Sequence, residues 1–314
     1  LASVTVASGS VATFNGTLDT ILLTNNGTTA INNAIDAPSL ASVVMNATGS
    51  VLNFNSASTR DLGMIVTAHT DGFGTINVVD TSGEAAAAAQ VLSGGDIGTT
   101  SARIGTLNVG SSTANGALTT IDGDAIFVDA LNVIGGDHTA EDSIIIAVEN
   151  MTATNGLTLT AASLGDAELN FATTASTVTG TVDSGSGTDG AGTTLIDADI
   201  GVVFANNVGA TTAIESMTIA DSVQVDLDGV TNQIESIVMT DASVLEFDAA
   251  ADQTYTGTIT FAADNDGTII NANVDGELSI TGAIGTATVA ATEITLNDGA
   301  NTNFNSAVFA RTLD

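Results

Sequence analysis

The chain has 314 residues, of which 44% are hydrophobic and 12% are charged, so it is long enough to bury a sizeable core in one long domain or two shorter ones. Its 36 acidic residues against 3 arginines leave a formal net charge of −33, which argues against nucleic acid as a partner because phosphates must be neutralised by cations. The lack of cysteine excludes disulfides, and no apolar run approaches the roughly 20 residues that span a bilayer, so no membrane insertion is expected.

Strand-like segments begin at the first residue. Residues 1–15 read LASVTVASGSVATFN, two alternating apolar stretches joined by a small polar turn, and residues 40–55, LASVVMNATGSVLNFN, repeat them with an insertion. This alternation is typical of β-strands. Because the chain starts at Leu1 without an initiator methionine, we expect that any export signal has already been removed.

One segment departs from this pattern. Residues 81–92, TSGEAAAAAQVL, place Thr81 and Glu84 ahead of an alanine run, which is a capping-box arrangement and predicts a short helix. This interruption divides the chain into an N-terminal β-repeat region (1–80), a helical or loop insertion (81–101) and a main body (102–314). A Gly/Ser/Asp-rich stretch at 181–194 is a further candidate loop or hinge.

The clearest repeat lies in the main body. Residues 214–228, IESMTIADSVQVDLD, and 234–248, IESIVMTDASVLEFD, align without a gap at an offset of 20. A coil of this length cannot bury its apolar face alone, whereas stacked coils form one continuous core. We therefore predict an all-β fold, a parallel β-helix-like β-solenoid with coils of roughly 20 residues. Tandem β-sandwiches are the alternative, because they also place short strands at regular spacings.

The two ends of the chain lack cap-like helices. The sequence starts inside a repeat and finishes on NFNSAVFARTLD, whereas solenoids normally carry caps because their terminal coils expose strand edges. We predict that the terminal strands bind further copies of the chain by stacking or strand addition. The alternative is that each terminal strand is tucked into its own sheet.

Acidic residues recur at matching positions of the two best copies, and like charges on adjacent coils repel. Divalent cations, high salt or splaying into solvent would offset the repulsion, and calcium prefers the oxygens that Asp-rich turns supply. For any single Asp, an ordinary turn residue is the alternative. The calcium candidates are Asp122, Asp124, Asp137, Glu141, Asp142, Asp221, Asp228, Asp241, Asp248, Asp264 and Asp266.

Residues for catalysis are sparse. An enzyme with this fold would need carboxylates with a basic residue and aromatic side chains to hold a sugar, but lysine and tryptophan are absent and Tyr255 is the only tyrosine. A two-histidine metal site would need both histidines of the chain, His69 and His138, to converge. We therefore predict that the chain is not an enzyme.

The Ala/Thr/Gly/Asn/Asp-rich, cysteine-free composition and the IES starts at 214 and 234 resemble the β-solenoid segments of bacterial surface-layer proteins and repeat-built autotransporter passengers. The surface-layer resemblance implies an exported, non-catalytic lattice protein, often held together by calcium. The expected function is a structural subunit outside the cell that assembles through its ends into a filament or array, stabilised by divalent cations. The alternative is a monomeric adhesin passenger that binds a surface or glycan ligand.

Overall fold

A computed structural model of the chain describes 31 strands and no helix in the parts that it covers. Within these parts, no helix is long and apolar enough to cross a membrane. The described residues are 3–16, 20–32, 40–55, 59–61, 66–79, 90–93, 95–110, 119–123, 125–135, 142–146, 148–161, 166–185 and 193–314.

The chain forms two compact units. The first comprises residues 1–169 and 187–193, and the second comprises residues 170–186 and 194–314. Strand β17 (Ala167–Phe171) runs through the boundary between them. The division of the sequence at 80 and 101 stays a prediction.

In the first unit the strands form three stacks. One stack has the order β1-β3-β5-β8, a second includes β7-β10-β12-β14, and a third runs β2-β4-β6-β9-β11-β13, after which β15 and β16 pair with the two halves of β13. The strands are β1 (Ser3–Val6), β2 (Val11–Phe14), β3 (Thr20–Asn25), β4 (Thr28–Ile31), β5 (Leu40–Met45), β6 (Val51–Phe54), β7 (Thr59–Asp61), β8 (Val66–Ala68), β9 (Phe73–Val78), β10 (Gln90–Ser93), β11 (Ile104–Gly110), β12 (Thr119–Asp122), β13 (Ala125–Ile134), β14 (Asp142–Ile146), β15 (Asn150–Ala153) and β16 (Leu157–Thr160).

The second unit is built in the same way. Its stacks run β20-β22-β24-β26, β18-β21-β23-β25-β27-β29-β31, and β26-β28-β30. The strands are β18 (Ser176–Thr179), β19 (Val182–Ser184), β20 (Thr194–Ala198), β21 (Val202–Phe204), β22 (Ile214–Ile219), β23 (Gln224–Leu227), β24 (Thr231–Met239), β25 (Val244–Phe247), β26 (Gln253–Phe261), β27 (Asp266–Asn271), β28 (Glu277–Ile280), β29 (Ala291–Leu296), β30 (Asn301–Phe304) and β31 (Ala310–Leu313).

Every pairing between these strands is parallel, and neighbours in a stack belong to successive coils. This confirms the predicted β-solenoid and excludes tandem sandwiches, whose sheets are antiparallel. The two best sequence copies are indeed successive coils, because Ile214 pairs with Ile234 and Val225 pairs with Leu245. The average coil is longer than predicted, at roughly 24 residues, since loops of different lengths separate equally stacked strands.

The core is made of apolar side chains that repeat from rung to rung. Leu52, Ile76, Leu107 and Leu131 occupy one column in register, and all of them are buried. The residues next to them along each strand point outward, so partly exposed and buried residues alternate, as in β9. This alternation follows from the two-residue period of a strand. Stacking of these inward positions therefore forms a core that consists mainly of Val, Ile and Leu, with a few buried aromatic side chains such as Phe54 and Tyr255.

The predicted helix at 81–92 is wrong at its C-terminal end. Residues 90–92 belong to β10, which pairs in parallel with β7 and β12. Parallel neighbours on both sides supply strand hydrogen bonds to Val91 and Leu92, and the β-branched Val91 favours a strand. The rest of the predicted helix, including Thr81 and Glu84, lies outside the described residues, as do residues 186–192 of the predicted hinge.

Candidate functional site

Acidic side chains of the second unit stand on adjacent rungs. Asp226 of β23 pairs with Glu246 of β25. Gln224 lies between these carboxylates, because its Nε2 donates to Asp226 Oδ1 at 2.7 Å and to Glu246 Oε2 at 2.9 Å. Asp228 and Asp248 follow the same two strands. We call Asp226, Asp228, Glu246 and Asp248 the acid column.

The acid column is a local concentration of negative charge. Burial raises the pKa of Asp226, the hydrogen bond from Gln224 opposes this shift, and the charge of Asp248 adds to it. Burial, followed by repulsion from neighbouring carboxylates, likewise raises the pKa of Asp228 and of Glu246. Each shift has the direction expected for an acid that loses water and gains like-charged neighbours. Ionisation of the column therefore opposes folding.

Two of the calcium candidates use their carboxylates within the protein: Asp264 lies in the turn before β27, and Asp266 is the first residue of β27. Asp264 accepts the Ala290 N–H at 3.2 Å and pairs with Arg311 at 2.7 Å. The hydrogen bond and the charge of Arg311 lower the pKa of Asp264. Asp266 Oδ2 accepts the Ala263 N–H at 2.6 Å and so closes the turn.

The other calcium candidates are dispersed. Asp221 and Asp241 are exposed in equivalent turns of successive coils, and Asp122 is exposed at the end of β12. Asp124, Asp137 and Glu141 lie outside the described residues, and so does the side chain of Asp142. Over the described part of the chain, no three Asp, Glu or His side chains converge in a way that could hold a metal ion. Calcium binding stays a prediction.

Arginine side chains form salt bridges between coils at two places. Arg103 bridges two carboxylates: its Nη2 lies 2.6 Å from Asp71 and its Nε lies 2.8 Å from Asp129. Thr154 Oγ1 also donates to Asp129, so this cluster spans several coils. Arg311 makes the corresponding link to Asp264 in the second unit. The third basic residue, Arg60, has its side chain outside the described residues.

A groove of about 620 Å³ on the second unit is lined by polar side chains. Two of the three acids that line it form hydrogen bonds within the fold, because Asp252 Oδ1 accepts the Glu277 N–H at 3.0 Å and Glu277 Oε2 accepts an N–H of Asn301 at 3.3 Å. His69 is exposed beyond β8, and His138 lies outside the described residues. The prediction that the chain is not an enzyme stays a prediction.

The outermost strands of the stacks expose positions that are buried on interior rungs. Leu313 of β31 continues the column of Ile294, but Leu313 is 64% exposed whereas Ile294 is 1% exposed. Phe304 of β30 continues the column of Ile280 and is likewise only partly covered. In the first unit β1 and β2 are the outermost strands. Phe14 of β2 continues the column of Ile31, but Phe14 is only partly covered whereas Ile31 is 1% exposed.

These outermost strands carry little of the net charge. Residues 3–16, which contain β1 and β2, include no charged side chain. Residues 299–314, which contain β30 and β31, include only Arg311 and Asp314, of opposite sign. In a chain with a net charge of −33, these surfaces offer another copy little electrostatic repulsion.

Three features were not identified from the sequence. The bridging role of Gln224 and the clamp formed by Arg103 depend on side chains from different coils, which sequence spacing does not bring together. A row of stacked asparagines in the first unit was also missed. The signal for that row was present, because Asn53, Asn77 and Asn108 each stand between two apolar residues.

Comparison with protein-family models, curated proteins and solved structures finds no match.

Proposed function

We propose that this protein is a non-catalytic structural subunit whose copies stack through their outermost strands into a filament or layer outside the cell. The observation that carries the proposal is the edge formed by β30 and β31, where Leu313 occupies a core column but is 64% exposed. Another rung placed over this edge would bury Leu313 and pair its strand. The β1 and β2 edge of a second copy supplies such a rung.

Three physical features favour a second copy as the occupant of this edge. Both edges belong to parallel stacks, so stacking continues the hydrogen-bonding ladder of the solenoid. Both also present apolar side chains, and burying these side chains removes apolar surface from water. Finally, both edges are nearly free of net charge, so they bring another copy of this acidic chain close with little repulsion.

The expected role of divalent cations is to weaken repulsion between copies. The acid column and the exposed Asp221 and Asp241 would attract calcium from solution, even where no single site has a full set of ligands. This part of the proposal concerns the strength of assembly. Stacking itself depends on the edges.

Site-directed cross-linking tests the proposal, and the cysteine-free sequence makes the experiment clean. One variant carries Val11→Cys on β2 and another carries Thr312→Cys on β31, both at exposed positions on the two strands that end the same sheet. The two proteins are mixed and treated with a short thiol-reactive cross-linker. We expect the mixed product to dominate over either homodimer, because stacking joins opposite edges.

Val274→Cys is the matched control, because its side chain is 54% exposed but lies in a turn between β27 and β28. It should yield only background product with Val11→Cys. Equal yields with the edge and the control cysteines would overturn end-to-end stacking and favour the monomeric adhesin. Repeating the reaction with calcium and with chelator separates the cation effect, since a calcium-independent yield would leave stacking intact and remove the metal from the proposal.

A further inference from the structure

The outer surface of the first unit carries a ladder of asparagine amides. Asn77 Nδ2 donates to Asn53 Oδ1, Asn108 Nδ2 to Asn77 Oδ1, and Asn132 Nδ2 to Asn108 Oδ1, each at 2.8 Å. The four residues are register partners on β6, β9, β11 and β13. They are partly exposed and alternate with the buried column described above, so the ladder lies on the solvent side of the sheet.

This surface is uncharged. The parallel column beside the ladder contains Val51, Thr75, Thr106 and Ala130 in register. Acidic residues are spread through the chain, but the segments that form this sheet face contain no Asp, Glu, Lys, Arg or His. These segments are residues 11–14, 28–31, 51–54, 75–78, 106–109, 130–133 and 157–160. We call the outward side of these segments the amide face.

The chemistry of a primary amide sets what the amide face can bind. Each amide has two N–H donors and two acceptor lone pairs, and the ladder uses one donor from each later residue and one lone pair from each earlier residue. The remaining donors and acceptors recur at the strand spacing of about 4.8 Å. Stacked amide ladders and dry, interdigitated side-chain packing between sheets are a known source of cohesion.

We infer that the amide face binds the same face of a second copy through a two-fold symmetric contact. A second copy has the same spacing between amides, so a two-fold axis aligns the donors of one ladder with the acceptors of the other. It also presents no charge at the contact, whereas most other surfaces of a chain with a net charge of −33 would repel it. This lateral contact goes beyond the proposed end-to-end stacking and involves different residues.

The size of the amide face predicts weak pairing of isolated copies. Seven strands at about 4.8 Å, each contributing about four residues, give a face of roughly 400 Å², about half of the area per partner in a stable complex. Pairing should therefore be weak for single copies. It becomes strong when stacked copies bring many faces into line, because the later contacts form at high effective concentration.

Sedimentation equilibrium tests the lateral contact in a background where end-to-end stacking is blocked. Leu313→Asp places a charge on the β31 edge and leaves the amide face unchanged. At concentrations on the order of 1 mM, where a complex with a Kd of about 1 mM is substantially formed, the average mass should rise toward twice the 31.0 kDa of one chain. Adding Thr106→Glu to this background should weaken association at least tenfold without touching the ladder.

Thr231→Glu is the matched control, because Thr231 is a partly exposed strand residue of the second unit, and it should leave the rise in mass unchanged. A constant mass of 31.0 kDa in the Leu313→Asp background would overturn the lateral contact, and so would equal effects of the two Glu substitutions. Neither result bears on the cross-linking of β2 to β31. Conversely, if lateral pairs form but the two edge cysteines do not cross-link, end-to-end stacking is refuted and the lateral contact stands.

Discussion

Replacing Asp226 by Asn should stabilise the protein at neutral pH. Asp226 faces Glu246 on the next rung, and Asp228 and Asp248 lie close enough to raise the pKa values within the acid column. A pair of like charges at about 4 Å repels by about 1 kcal/mol in water and by more where water is partly excluded. Because Asn keeps the oxygen that accepts the Gln224 N–H, the substitution removes repulsion and retains the bridge. We expect a gain of about 1 kcal/mol.

The pH dependence identifies the cause. Since folding raises the pKa of Asp226, the folded protein binds protons more readily than the unfolded chain, and its stability falls as the pH rises from about 4 through the raised pKa. Above that pKa the full penalty of the ionised carboxylate is present. At about pH 3 the carboxyl is protonated in both states, so Asp226→Asn and the original protein should have nearly equal stability.

Thermal unfolding at low salt with chelator measures this difference, and 1 kcal/mol corresponds to a shift of about 2–4 °C in Tm for a unit of this size. Asp298→Asn is the control, because Asp298 is exposed in the turn after β29 and should shift Tm little at either pH. A lower Tm for Asp226→Asn at neutral pH would refute the reasoning. That result would mean that the carboxylate stabilises the fold, as it would if it held a cation.

Three further predictions concern other parts of the fold. Arg103→Gln should lower the free energy of unfolding by about 1–2 kcal/mol, because Asp71 and Asp129 lose their shared cation. In thermal unfolding, added salt should reduce this loss by screening the two acids. A loss that grows with salt would contradict the bridging role of Arg103. Ala242→Gly should raise Tm, by a gain of about 0.5–1 kcal/mol, because Ala242 has a φ of 53°, which glycine adopts with little strain; an unchanged or lower Tm would argue against strain. Burial raises the pKa of Tyr255 far above its ordinary value. After a jump to alkaline pH, phenolate absorbance should therefore appear only as fast as the second unit unfolds. An immediate signal would show that the phenol of Tyr255 is accessible to solvent in the folded protein.

The sequence was sufficient to predict the solenoid because the repeating apolar residues that indicate this fold are the residues that form its core. Inward positions repeat in every coil, so the alignment of 214–228 with 234–248 matched the observed register. Coil length was predicted less well, because the loops between strands do not pack in the core and vary freely. The hydrogen-bonded ladder Asn53–Asn77 has an offset of 24 residues and the next step, Asn77–Asn108, has one of 31.

The candidate sites depend on partners that the sequence does not place together. The alignment put Asp226 and Glu246 on adjacent rungs, but not the Gln224 amide between them. Asp264 was taken as a calcium ligand because its turn is acidic, while the structure pairs it with Arg311, which lies 47 residues later. Pairings of this kind depend on how many residues each intervening loop contains, which composition does not determine.

The mass of the particles that the unmodified chain forms shows whether copies assemble through their outermost strands. Light scattering and negative-stain microscopy over a range of protein concentrations, with calcium and with chelator, would measure it. We expect particles whose masses are multiples of 31.0 kDa and that grow as the protein concentration rises, with growth favoured by calcium. A single species of 31.0 kDa under every condition would contradict assembly through the outermost strands.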